Sequence, residues 1–128
     1  MTIKTSNEAI KYVLQNYADI KKLVNDRIYD GLIPEHIQQL PVINFFQIDA
    51  PNLETQCERE RFQVSCRAKT AIEAKELAHQ VHRAVNNIQG SYSGFDIQNC
   101  YYDSSQFIIE ESGIYHVPVD FFITYVRT

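Results

Sequence analysis

His79 and His82 stand three residues apart in a stretch of helical periodicity, so both imidazoles can share one face, which is the first half of a metal site. The second half would be converging ligands from another segment, and no HExxH or CxxC accompanies the pair. His36 and His116 add no useful spacing, so the two read as surface histidines. Nucleophilic chemistry needs an activated Ser or Cys beside a base and an orienting acid. Cys66 falls on the apolar face of an alternating stretch, where a thiol is an inert small hydrophobe, and Cys100 sits between Asn99 and Tyr101 in another such stretch. Ser91, Ser93 and Ser112 lie in turn sequences without a G-x-S-x-G elbow. Gly31, Gly90, Gly94 and Gly113 are isolated, so no glycine-rich phosphate cradle exists. The residues name no catalytic centre, no metal site and no cofactor.

Composition narrows the remaining classes. A chain of 128 residues is the size of a single domain and buries roughly 65–70% of its unfolded surface. Its 45% apolar content, seven Phe and eight Tyr favour a packed core over disorder. The formal charge of −4 is spread without long runs of one sign, which disfavours a specific nucleic-acid grip, because phosphate binding depends on clustered Lys and Arg. Cys57, Cys66 and Cys100 form no disulfide framework and point to a reducing cytosol as the site of synthesis. No apolar run approaches the roughly 20 residues of a membrane span, and the N-terminus lacks the apolar stretch of a signal peptide.

The elements follow from period and caps. Ser6 before Asn7 and Glu8 is an N-cap, with Ile10, Val13, Leu14 and Tyr17 at helical spacing to about Asn16, and Asp19 caps a second short turn through residues 21–24. Asp30-Gly31 and Pro34 break the chain next, so Arg27, Tyr29, Asp30, Gly31 and Pro34 are expected to hold a fixed structural turn, with Arg27 paired to Asp30. Residues 42–49 read as a strand with apolar groups on both faces, lying between two layers or two subunits. A polar connection over residues 51–58 follows, in which Pro51, Asn52, Leu53, Glu54, Thr55 and Gln56 are candidates for a contact loop. Residues 61–69 alternate cleanly, with Gln63, Ser65, Arg67 and Lys69 on the wet face. Thr70 and Glu73 form a capping box that opens a helix over 71–88, ended by Gly90, with Leu77, Val81, Ala84 and Ile88 as its stripe. Strands are expected over 96–103, 106–110 and 114–127, the last with an edge or bulge at Pro118 because proline has no ladder donor. The fold class is therefore α+β: one long helix packed on an antiparallel or mixed sheet, with short N-terminal helices.

Consecutive aromatics on strands, Phe45-Phe46, Tyr101-Tyr102 and Phe121-Phe122, place a ring on each sheet face. Either the N-terminal helices cover the second face, or it is left for a partner. Physics alone leaves a small α+β binding or homodimeric module as one reading.

A resemblance gives another. Arg27-Ile28-Tyr29 with Gly31 and Pro34, the Leu40-Pro41 strand start, the helix start over 70–78 and the closing strand with Val119-Asp120-Phe121 together resemble the phage tail completion proteins, the tail-terminator or head-tail joining proteins of long-tailed phages and prophages. The likeness runs from about Ile20 onward; the first segment, through Tyr17, is longer than that family leads one to expect. It implies a non-enzymatic structural protein of the virion neck, made in the bacterial host cytoplasm. Its implied partners are copies of itself in a ring, typically six, the tail tube protein and the head-tail connector, with no cofactor, no membrane and no specific nucleic-acid binding.

Overall fold

The structure is a computed structural model that describes residue 3 and residues 5–35, 39–49 and 57–126, with only the backbone of residues 49, 57 and 58. The chain order is α1 (Ser6–Gln15), α2 (Ala18–Val24), β1 (Ile28–Asp30), β2 (Val42–Asp49), β3 (Cys57–Ala68), α3 (Ala71–Val85), β4 (Gly90–Tyr92), β5 (Phe95–Ser105), β6 (Ile108–Ile109) and β7 (Tyr115–Val126). The fold class is α+β, as the change of period from two to 3.6 at Thr70 implies.

One mixed sheet runs β1-β2-β3-β7-β5-β4, with β6 also against β7. All pairs are antiparallel except β1 with β2, where Ile28 lies beside Ile43 and Asp30 beside Phe45. The long β3 and β7 form its spine, in register from Cys57 beside Val126 to Ala68 beside Tyr115.

The helices pack on one face and share a core with it. Ile10 and Leu14 of α1, Ile20 and Val24 of α2, and Leu77 and Val81 of α3 are buried against Ile43, Phe45, Phe62, Val64, Phe121 and Ile123. Phe62 and Phe121 stack with centroids 6.1 Å apart at the middle of the spine. Period-two alternation sends the neighbours of these residues to the other face. There Phe46 is 39% exposed and Ile48 44%, and no described helix covers them.

Several local expectations are corrected. Ser6 is not the N-cap of α1: Thr5 accepts from the Glu8 amide, and Ser6 is buried. Helix α2 begins at Ala18, ahead of Asp19, with Tyr17 at its N-cap position. The Thr70 hydroxyl caps α3 as expected, but the helix stops at Val85, short of Ile88. The chain is pulled there onto β5, where the Asn87 amide donates to the Cys100 carbonyl at 2.6 Å, Asn86 Oδ1 accepts from the Tyr102 amide at 3.0 Å, and Asn87 takes a φ of 65°. Gly90 opens β4 instead of ending α3.

Pro118 sits in a central strand, neither at an edge nor in a bulge. The irregularity lies in its neighbours: β5 ends at Ser105 beside Val119, β6 begins at Ile108 beside His116, and the gap falls opposite Pro118. The Pro118 carbonyl accepts from the Gln106 amide at 3.3 Å, so the nitrogen without a hydrogen faces this break and no ladder bond is lost.

Candidate assembly surface

The uncovered sheet face is polar in its middle and aromatic at one end. β3 places Arg59, Arg61, Gln63 and Arg67 there by alternation, and β7 sets His116, Pro118, Asp120 and Phe122 beside them. Asp120 Oδ2 accepts from Arg61 Nη2 at 2.7 Å and its Oδ1 from Gln63 Nε2 at 2.8 Å. Arg61 Nη2 also lies 3.4 Å from Asp103. Arg67 donates through Nε to Glu110 at 2.9 Å and through Nη1 to Asn44 Oδ1 at 2.6 Å, which ties β2 and the β6–β7 turn to β3. Charge-assisted pairs of this kind fix side-chain orientation even where their net energy is small.

At the aromatic end the Arg59 guanidinium lies 4.2 Å from the Phe122 centroid and its Nη2 donates to the Tyr101 hydroxyl at 2.8 Å. Tyr101 and Phe122 stack at 5.4 Å. This arrangement places a flat, cationic and aromatic patch on an open face, the composition that protein contacts favour. Arg61 Nε and His116 Nε2 are buried beneath the same face with no hydrogen-bond partner among the described residues. Burial and the Arg67 charge hold the His116 imidazole below its ordinary pKa, against the opposing pull of Glu110.

On the opposite face, α3 and the β5–β6 break enclose a groove of about 470 Å³. Lys75, His79 and His82 project into it from one side of α3, Tyr102, Ser105 and Phe107 from the other wall, and Ala78, Val117 and Val119 form its floor. Lys75 Nζ sits 4.8 Å from the Phe107 centroid, and the His82 ring meets Tyr102 edge-on at 4.6 Å. The two histidines are thus groove residues, and no group of three or more His, Cys, Asp or Glu among the described residues is placed to hold a metal.

The residues singled out from sequence fall as follows. Tyr29 and Asp30 belong to β1, so the segment expected to be a turn begins as a short parallel strand. It bends only at Gly31, whose φ of 93° is a conformation that side-chain-bearing residues rarely adopt. Arg27 does not pair with Asp30: its Nε donates to the Pro41 carbonyl at 2.9 Å and its Nη2 to the Leu23 carbonyl at 3.4 Å, joining the end of α2 to the start of β2. Asp30 accepts from Asn7 Nδ2 of α1 at 3.0 Å. Pro34 follows in the loop beyond β1. The candidate contact loop, residues 51–56, lies outside the described residues.

Sequence reasoning missed Leu32, which is 92% exposed on that loop, and the groove. The spacing of Lys75, His79 and His82 was legible, but the facing wall comes from residues about 30 positions away in the chain. Cys66 and Cys100 are both buried, which pushes their thiols up, Cys100 to about 12 and Cys66 further still. Among the described residues no helix is long and apolar enough to cross a membrane.

Comparison with known proteins agrees with a contact-making module. No curated protein matches the chain. Among solved structures it is similar to a chain of the virion of a native gene transfer agent particle, with a TM-score of 0.81, 16% identity and 94% of each chain covered. At that identity the likeness establishes the fold. The family profile described as tail completion protein gp17 matches residues 8–125, nearly the whole chain, and the protein belongs to that family of virion tail structural proteins.

Proposed function

We propose that this chain, acting as one domain, completes the tail tube and joins it to the head connector as a ring of identical subunits, six in number. The observation that carries the reading is the family match over residues 8–125. The geometry supports it. Exposed apolar groups sit at two different ends of the sheet, Leu32, Phe46 and Ile48 towards β1–β2 and Phe107, Ile108 and Ile109 at β5–β6. Two unlike patches on one subunit suit a head-to-tail contact, and such contacts close into rings. A formal charge of −4 suits a channel through which DNA slides without adhering. Tail tube protein and connector are its neighbours, the host bacterial cytoplasm its place of synthesis and the virion neck its destination. Its role is contact instead of catalysis.

The polar segment with Pro51, Asn52, Leu53, Glu54, Thr55 and Gln56 meets one of those neighbours, and the strand and bend that carry Arg27, Tyr29, Asp30, Gly31 and Pro34 hold their shape for assembly. Particles made without this protein test the reading: heads and tails that accumulate separately, and join when purified protein is added, support it. Normal joining in its absence overturns it. Deleting residues 52–56 tests the loop in the same assay, with an unchanged melting temperature and blocked joining as the expected result.

A further inference from the structure

The groove beneath α3 is unusual in its charge. Lys75, His79 and His82 face into it, and none of its lining residues is acidic. Among the described residues Lys75 makes no ion pair; its ammonium rests on the Phe107 ring at 4.8 Å. The floor of Ala78, Val117 and Val119 is apolar, and the cavity of about 470 Å³ holds more than a single side chain. The matching ligand is therefore an aliphatic side chain carried between carboxylates.

The same chain displays such a group at the far end of its sheet. After β1 the chain turns at Gly31, φ 93°, and Leu32 stands 92% exposed, with Asp30 before it and Glu35 after it, both exposed. A leucine held out to solvent between two carboxylates costs hydration unless something covers it. β1 is one border of the sheet, whereas the groove opens at the β5–β6 break beyond β7. One subunit cannot bring the two together; a neighbour can.

We propose that the Asp30–Glu35 loop of one subunit docks in the α3 groove of the next, with Leu32 on the apolar floor and Asp30 or Glu35 towards Lys75 and the two imidazoles. The contact is heterologous, because the donating and receiving surfaces differ, and repeated around an axis it closes. It rests on the ring reading above and supplies the contact which that reading lacks. Charge complementarity selects the register and the aliphatic anchor supplies the area.

The test uses the full-length chain with Cys57→Ser, carrying either Leu32→Cys or Ala78→Cys. The two preparations are mixed and oxidised, free in solution and again on purified tails. Disulfide-linked pairs are expected only in the mixture. In parallel, Lys75→Glu should weaken self-association by about tenfold or more, and Glu35→Lys in the same chain should restore it, with melting temperatures unchanged because both positions are exposed. Leu32→Asp should act like Lys75→Glu.

A chain that stays monomeric both free and on tails overturns the ring reading and this contact together. A ring that forms as usual with Lys75→Glu and Leu32→Asp, and gives no mixed disulfide, overturns this contact alone. Disulfides between two Leu32→Cys copies would replace it with a symmetric dimer. Groove variants that keep the ring intact but block tube binding would assign the groove to a different protein and likewise overturn it.

Discussion

Ser6 of α1 donates its hydroxyl to the Glu60 carboxylate of β3 at 2.5 Å, across 54 positions of sequence. The other carboxylate oxygen accepts from the Tyr125 hydroxyl of β7, and both Ser6 and Glu60 are buried. A carboxyl group taken from water is tolerated only when its oxygens are hydrogen-bonded, and here one helix and one strand supply the two donors to a carboxyl carried by a third element. Ser6→Ala should lower unfolding free energy by about 1–2 kcal/mol, and Glu60→Ala, which removes the acceptor shared by the Ser6 and Tyr125 hydroxyls, by about 2–3 kcal/mol. Denaturant titration reads both; losses near zero would mean the first helix is not anchored through this pair.

Leu77 is fully buried on the inner stripe of α3, while Ile72 five residues earlier is 83% exposed. Leu77→Ala should cost about 2–4 kcal/mol. Ile72→Ala, measured the same way, should fall within about 0.5 kcal/mol of the parent protein.

The depressed pKa of His116 makes stability depend on pH. The folded imidazole stays neutral at a pH where the unfolded one, near its ordinary 6.5, already binds a proton. Stability is therefore full above about pH 6.5 and falls as the pH drops through the folded value. His116→Asn should flatten the acid side of the stability profile below about pH 6.5. An unchanged slope would assign it to other groups.

Burial should keep Cys66 and Cys100 from reacting with iodoacetamide in the native protein. Site-resolved mass spectrometry is expected to find both modified only at denaturant concentrations that unfold the chain. Native labelling of either would show that the core opens locally around β3 or β5.

Arg27 carries three backbone and side-chain contacts, to Pro41, Leu23 and Gln39. Arg27→Ala should lower stability by about 1–2 kcal/mol through the carbonyls it leaves. Arg27→Lys should recover only part of this, because a point charge cannot span the same acceptors.

The sequence by itself determined those features whose cause is local. The Thr70 cap, whose hydroxyl accepts from the Glu73 amide, and the apolar stripe through Leu77 and Val81 specify α3, and the alternation from Phe62 to Ala68 specifies both a strand and the face it buries. Paired aromatics announced that both faces would carry rings, and Phe45 and Phe46 do so, one buried and one exposed. What tertiary structure decided is every relationship between segments distant in the chain. Residues 28–30 form a strand only because β2 offers them a parallel edge, so a local reading of Asp30-Gly31 and Pro34 found only a turn. Ser6 reads as a cap until Glu60 arrives from β3 to take its hydroxyl. Helix α3 ends at Val85 because β5 captures Asn86 and Asn87, although the apolar stripe continues to Ile88. The cationic groove exists only because β5 breaks opposite Pro118 and carries Phe107 over Lys75. Period and capping are set by neighbours within four residues, whereas a groove needs two walls, and only the folded chain brings the second wall to the first.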